Sequence, residues 1–466
     1  MITESRTAAP SSEPLRPSPS PWPRGGLSVL SLSTIGFTLM FAVWLMFGVL
    51  GIPIRAEFGL TDVQLSWLSS LAILNGAVWR LPGGVLADRV GGKVVFTALL
   101  LFTAVPAFLV SQAHSYQALL LYAFLVGFAG NSFTVGISWV SAWTPRERQG
   151  FALGVFGAGN VGASVTKFIG PALITAVPAI GFAGGLIPGG WRFVPFLYAV
   201  LLVLMGAAVW LFAPRRDRRP GQHRPLTEML RPLRQLRVWR FSLYYVVVFG
   251  AYVALAAWLP KYYVDVFGVP LYEAALLTAL FIFPASLLRP VGGWLADRYG
   301  ARRVMYGAFA TMLASTLFLS MPYGHIVLYV PTRYEADGVR EVLPYELGLL
   351  PFTIGVVVIG IAMGIGKAAV FKHIPEYFPE DVGAVGGLVG MLGALGGFVL
   401  PPLFAYTQEW TGLPQSTFFI LFVITAVSAL WMHFTVMRML NARSPELARE
   451  IEPDATPSGR GRDLGR

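Results

Sequence analysis

Apolar runs of about 20 residues, the length a helix needs to cross a hydrocarbon core, recur along this chain. Short polar or Gly- and Pro-containing stretches divide them. They predict twelve membrane-spanning helices, with approximate limits 27–52, 64–87, 94–112, 116–141, 150–178, 191–213, 241–264, 272–296, 303–322, 347–371, 382–406 and 415–438. The short alternating segments of a membrane β-barrel are absent from the sequence. The expected fold class is therefore all-α integral membrane. The run beginning at Leu27 is too long for a cleaved signal sequence, lacks a clear small-residue cleavage site and continues into the membrane pattern. It is read as the first span. Ahead of it, residues 1–26 are rich in Ser, Pro and Arg and read as a disordered tail; residues 441–466 form a second tail.

Two connections are longer than the rest. Residues 214–240 carry nine arginines against Asp217 and Glu228. A stretch so basic is retained on the cytoplasmic side, where it also meets anionic lipid. An even number of spans separates it from each end, which places both termini in the cytoplasm. The turns holding Asp88-Arg89, Arg146/Arg148 and Asp297-Arg298 then lie on the same side. Glu57, Asp62, Asp265, Glu273, Glu335, Asp337, Glu341, Glu346 and Glu409 lie on the other, with fewer basic residues (Arg55, Arg192, Lys261, Arg333 and Arg340). Topology signalling accounts for the linker without a further role. The second long connection, 323–346, is expected outside as an ordered loop with no assigned function.

One motif occurs twice. Arg80-Leu-Pro-Gly-Gly-Val-Leu-Ala-Asp-Arg-Val-Gly-Gly-Lys93 closes the second span, and Arg289-Pro-Val-Gly-Gly-Trp-Leu-Ala-Asp-Arg-Tyr-Gly-Ala-Arg302 closes the eighth. Eight of fourteen positions are identical, and the copies start 209 residues apart. The chain thus reads as two six-helix halves, 27–213 and 241–440, joined by the basic linker 214–240. Parallel halves related by an axis along the membrane normal are the pattern of major facilitator transporters. Gly84-x-x-x-Asp88-Arg89-x-Gly91-x-Lys93 and Gly293-x-x-x-Asp297-Arg298-x-Gly300-x-Arg302 resemble the signature loop of that superfamily. An Asp ending a span can cap the next helix or pair with arginine across the cytoplasmic face. Asp88, Arg89, Asp297 and Arg298 are therefore expected to lock one conformation and release in another; plain topology-setting turns are the alternative.

Arg80 lies eight residues before Asp88, about 12 Å deeper along a helix, near the midplane of a core about 30 Å thick. The same holds for Arg289 and Asp297. A guanidinium stays protonated in any protein environment, and a charge at membrane depth is rare and usually functional. Lys167 and Lys367 are also embedded, and Lys372-His373 sits at a span end. None of the twelve predicted spans contains Asp or Glu away from its ends. Snorkelling to an interface suits Lys372 and fits Lys367 partly, but fits the two arginines poorly. Cations without internal counter-ions point to a mobile anion. Two planar donor forks suit a small planar oxyanion, although a carboxylate or phosphate also satisfies them.

The fifth span contains Gly154-Val-Phe-Gly157-Ala-Gly159-Asn160-Val-Gly162, and the eleventh Gly386-Gly387-Leu-Val-Gly390-Met-Leu-Gly393-Ala-Leu-Gly396-Gly397. Close helix packing explains most of these glycines; glycine also lets backbone approach a small ligand. The two segments resemble the paired signature segments of the NarK-type nitrate/nitrite porter family. That resemblance extends through nearly the whole span region. It implies that Arg80 and Arg289 bind the anion and that Asn160 contributes. The segment Tyr244-Tyr245-Val-Val-Val-Phe249-Gly250 is similar to the family segment that supplies Tyr245 and Phe249 to the site, with packing as their alternative role. Gly364-Ile-Gly366-Lys367-Ala-Ala-Val-Phe-Lys372-His373-Ile-Pro375 and Trp258-Leu-Pro-Lys261-Tyr262-Tyr263 resemble the branch of proton-linked nitrate importers.

The implied function is nitrate/proton symport, with nitrite as a further substrate, by a monomer in the bacterial cytoplasmic membrane. Nitrate/nitrite antiport, a carrier of another small anion and a non-transporting sensor are the alternatives. Proton coupling without an embedded carboxylate requires another carrier, and the working hypothesis is that Lys167 or Lys367 loses its proton in one state of the cycle. The composition agrees: 55% of 466 residues are hydrophobic and 13% charged, where a soluble domain carries roughly 25% charged. The net charge of +11 does not indicate nucleic acid, because the basic residues cluster beside apolar spans. There is no cysteine, and no nucleotide loop, metal cluster or nucleophile constellation is recognisable. No enzyme activity, catalytic residue, metal or cofactor is expected.

Overall fold

In the computed structural model, the described residues are 22–145, 148–218, 226–322, 324–329, 331–334, 339–345, 347–378 and 381–443. Arg146, Glu335, Asp337, Glu346 and most of both expected tails lie outside them. The described helices form twelve rods. These are α1 (Gly26–Phe58), α2 (Asp62–Val78 and Arg80–Val90), α3 (Gly92–Ser111), α4 (Tyr116–Ala142), α5 (Gln149–Ala158, Gly159–Val161 and Gly162–Ala176) and α6 (Gly190–Phe212) in the first half. The second half holds α7 (Leu236–Phe267), α8 (Leu271–Leu287 and Arg289–Tyr299), α9 (Ala301–Ser320), α10 (Leu349–Tyr377), α11 (Val382–Thr411) and α12 (Ser416–Arg443).

Eight rods are long and apolar enough to cross a bilayer unaided, and bent α8 is a ninth. The other three are α2 and α5, whose pieces are each short, and α9, which opens on Arg302 and Arg303. Apolar run length finds all twelve and does not see the breaks.

The breaks are where the physics of the fold concentrates. α1 breaks at Leu45, α2 at Trp79, α4 through a 3₁₀ turn at Gly127–Asn131, and α5 through another at Gly159–Val161. α7 contains a π-helical turn, Val246–Gly250, a geometry that recurs at functional positions. α8 bends by 41° just ahead of Arg289-Pro290, where proline removes a backbone donor from the helical ladder.

Inside a bilayer, helices associate by close van der Waals packing rather than by escape from water. Gly162 of α5 lies directly on the Thr38 carbonyl of α1, with no room for a Cβ. Gly396 of α11 meets the Gly250 Cα of α7 at 3.2 Å from its Cβ direction. The halves meet where α1 touches α7, α2 touches α11, and α5 touches α8. Of the eight rods that can cross unaided, α1 and α7 are the most enclosed and α12 the least.

The expected loop at 323–346 contains an antiparallel hairpin, β1 (Gly324–Tyr329) and β2 (Val339–Tyr345), in register Gly324↔Tyr345 through Tyr329↔Val339 with one irregularity at Ile326/Val327. Its β-branched residues were hidden among the prolines and charges that marked the segment as a loop. The two membrane faces are called the linker side and the hairpin side below.

Candidate anion site

Each arginine of the repeated motif opens the second piece of a broken rod, Arg80 in α2 and Arg289 in α8. Both guanidiniums turn toward the ring of Phe133 in α4, with each central carbon 5.5 Å from the ring centroid. The two carbons are therefore at most twice that distance apart. Arg80 is 1% exposed. Its Nε donates to the Gly76 carbonyl at 3.2 Å and its Nη1 to the Gly390 carbonyl of α11 at 3.3 Å. Trp44 and Phe249 also flank it, at 5.5 and 5.1 Å. Arg289 is half-buried and lies 5.5 Å from the Phe371 ring. One buried nitrogen on each fork, Nη2 of Arg80 and Nη1 of Arg289, has no hydrogen-bond partner.

Neutral polar groups stand in the same layer. Tyr245 is fully buried and stacks on Phe249 at 4.9 Å and 9°. It lies within electrostatic reach of both arginines, and its hydroxyl makes no well-aligned hydrogen bond. Asn160 is 1% exposed; neither its side-chain nitrogen nor its oxygen is bonded, while its backbone carbonyl accepts from Tyr252 Oη at 3.4 Å. Unsatisfied buried polar groups are costly, by about 1–3 kcal/mol each. Several gathered around two cations describe a site shaped for an anion.

The lysines separate. Lys367 belongs to this layer: its Nζ donates to the Ala285 carbonyl at 2.9 Å and sits 3.2 Å from the Tyr252 ring centroid and 5.7 Å from that of Phe249. Lys167, also fully buried, instead donates to the Leu45 carbonyl in the break of α1, at 3.4 Å. Among the described residues no carboxylate pairs with Arg80, Arg289, Lys167 or Lys367.

The six signature glycines divide in the same way. A Cβ on Gly157 would lie 3.5 Å from Arg289 Nη1, and Gly390 offers its carbonyl to Arg80. Gly393 makes room for the Tyr245 ring. Gly159 and Gly162 pack on α1 and Gly396 on α7, so these three shape helix contacts and do not face the arginines.

The carboxylates of the spans are held at the ends. On the hairpin side, Arg55 pairs with Asp62 and Asp265, each at 2.8 Å, and Lys261 pairs with the same two at 2.9 and 2.8 Å. This lattice joins α1, α2 and α7 across the two halves. On the linker side Asp88 accepts from Ser138 Oγ, and Asp297 pairs with Lys372 at 2.5 Å. Arg89 and Arg298 are exposed, Arg298 lying against Trp294 and Tyr299. The group at the start of α3 is Asp217, which accepts from the Lys93 backbone N–H at 2.7 Å; neither motif Asp takes that place.

The profile of the Major Facilitator Superfamily matches residues 32–330 and 273–458. A Thermus thermophilus protein described as a probable nitrate/nitrite antiporter, NarK1, is 71% identical over 91% of this chain and 95% of its own length. The chain belongs to the NarK-type porters of the major facilitator superfamily. It is a multi-pass membrane protein and a transporter, not an enzyme. A Staphylococcus epidermidis protein described as a probable nitrate transporter, NarT, is 30% identical over 87% of this chain and 96% of its own. The same fold occurs in a bacterial homologue of the human lysosomal transporter Spinster, in an inward-facing, occupied conformation. That structure has a TM-score of 0.67 and 16% identity, and the match covers 89% of this chain and 97% of that one.

Four residues at the centre of this layer carried no signal in the sequence: Trp44, Phe133, Tyr252 and Phe371. Aromatic residues in apolar spans carry no pattern that separates wall from packing. The arginines were visible because charge at that depth has no bland use.

Proposed function

We propose that the chain carries nitrate and nitrite across the cytoplasmic membrane by alternating access, its halves rocking about Arg80 and Arg289. The observation that carries this reading is the pair of guanidiniums turned toward Phe133, each with an unbonded buried nitrogen and, among the described residues, no carboxylate partner. A planar oxyanion takes two parallel N–H bonds from each fork it meets. The aromatic rings accept its flat faces, and Asn160 and Tyr245 supply uncharged contacts. With the basic linker and both termini in the cytoplasm, the lattice of Arg55, Asp62, Lys261 and Asp265 closes the external side.

Exchange of one anion for another is the mode this geometry favours. Closing the empty site brings like charges together where water screens them poorly; a bound anion removes that barrier. The relative at 71% identity is itself described as an antiporter. Proton-linked symport is the second reading, supported by Lys367, whose amine shares the Phe249 ring with Arg80. Lys167 stands apart from the arginines and is the weaker carrier of that role.

Proteoliposomes separate the two modes. Nitrate uptake is expected to require nitrite or nitrate inside. Accumulation under an imposed proton gradient alone would establish symport, and no nitrate movement in either condition would exclude the substrate.

A further inference from the structure

The repeat that duplicates the arginines also duplicates a corner on the linker side. Lys93 and Arg302 are 209 residues apart, the same offset as the arginines. Trp139 and Trp143 close α4, with Pro145 following two residues later; His373 and Tyr377 close α10, with Pro379 at the same spacing. The two corners are built on the same frame and filled differently.

In the first half, α6 stops at Phe212 and the chain folds back. The Asp217 carboxylate accepts from the Lys93 backbone at 2.7 Å, Trp139 Nε1 at 3.1 Å and Trp143 Nε1 at 3.0 Å. Lys93 Nζ donates to the carbonyls of Ala213 and Pro214, just past the helix end, at 3.1 and 3.3 Å. In the second half, α12 continues to Arg443, and among the described residues no carboxylate folds back at this level. A small cavity of about 20 Å³ opens at the corner, with Arg240, Arg302 and His373 on its walls.

Among the described residues its two arginines have no carboxylate partner. Arg240 is 9% exposed and lies on the Phe241 ring at 5.3 Å. Among the described residues Arg302 donates only to Tyr377 Oη, at 3.3 Å. His373, 5% exposed, stacks on Phe241 at 5.5 Å and 5°. Its Nδ1 makes no hydrogen bond, and the Glu376 carboxylate, half-exposed, is 3.8 Å away. The buried Tyr244 hydroxyl is also unbonded. Among the described residues no carboxylate pairs with Arg240 or Arg302.

We propose that this corner binds an anionic phosphate group, supplied by the headgroup of an acidic phospholipid. Two guanidiniums match phosphate oxygens, and basic pockets between spanning helices on the cytoplasmic side suit lipid headgroups. The α12 wall supplies Met432 and Val436, and its outer face, with Phe434 67% and Leu440 51% exposed, faces lipid. The headgroup takes the place that Asp217 fills in the first half, tying α7, α9, α10 and α12 together.

Native mass spectrometry of the full chain tests this, with phosphatidylglycerol titrated against phosphatidylcholine and inorganic phosphate as competitor. One phosphatidylglycerol is expected to be retained without displacement by phosphate. The Arg240→Gln/Arg302→Gln pair is expected to weaken it about tenfold, the loss of one or two charge-assisted bonds. Arg302→Lys, which keeps the charge, is expected to stay within a few-fold of wild type and guards against a folding defect. Displacement by inorganic phosphate would reassign the corner to the free ion. Equal retention of phosphatidylcholine, or wild-type retention by the double glutamine variant, would overturn the proposal.

Discussion

Arg80 is locked by what surrounds it. Two of its nitrogens are committed to the Gly76 and Gly390 carbonyls, and three rings enclose it. A lysine has neither the planar fork nor the reach to hold both carbonyls and still present a free donor. Arg80→Lys is therefore expected to raise the KM for nitrate by about tenfold or more, the cost of losing one bidentate contact; uptake at wild-type affinity would rule out fork recognition. Phe133 is the complementary case. Its ring stands against both guanidiniums, and a cation over an aromatic face gains about 0.5–2 kcal/mol. Phe133→Leu keeps an apolar side chain there and removes that attraction, so nitrate affinity is expected to fall several-fold while the folded carrier is still recovered. The arginine was legible in the sequence and the phenylalanine was not. Charge in an apolar span has few explanations, whereas a phenylalanine there is the default. Asn160 lies between: polar amid glycines, it could be singled out, but only the structure shows both amide atoms unbonded.

At the scale of helices, the sequence located twelve rods because apolar length is a one-dimensional property. It missed the breaks, which depend on neighbours. The bend at Arg289-Pro290 has a local cause in proline; the π turn of α7 has none that the sequence displays. The same gap explains Gly159 and Gly162, whose spacing suited either a ligand or a helix and which lie on α1. Gly162→Val would drive a branched side chain into the Thr38 carbonyl. Overpacking of this kind costs about 1–3 kcal/mol, so a lowered melting temperature and poor recovery of folded protein are expected, in contrast to Gly390→Ala, where the Cβ direction is open. The lattice on the hairpin side makes a second demand on α7. Lys261 is 3% exposed and depends on Asp62 and Asp265. Removing one carboxylate leaves a buried cation half-paired. Asp265→Asn is expected to favour opening of that side. The chain has no cysteine, so a Ser69→Cys reporter in the small cavity beneath the lattice can be labelled alone. Its reaction with an impermeant maleimide is expected to speed up several-fold in Asp265→Asn; an unchanged rate would show that the lattice does not hold the halves.

For the whole molecule, the duplicated motif and the shortage of embedded acids gave the architecture and the sign of the cargo, because both survive as simple patterns of identity and absence. Coupling did not emerge in the same way, since it depends on how much an empty, positively charged layer resists closure. Lys367 measures that resistance. It places a third basic group beside Phe249 and within the field of Arg289. If exchange governs, the loaded carrier turns over readily and the empty carrier slowly, so nitrate/nitrite counterflow should exceed net efflux by about tenfold or more, a barrier difference above about 1.4 kcal/mol. If the amine is charged in the empty site, Lys367→Gln removes that charge and should narrow that ratio by raising net efflux while counterflow persists. If Lys367 instead carries the proton of a symport cycle, the same substitution should abolish gradient-driven accumulation and leave the ratio as it was. One variant, assayed for counterflow, net efflux and gradient-driven uptake in the same vesicles, therefore distinguishes a lysine that holds the empty carrier open from one that exchanges a proton.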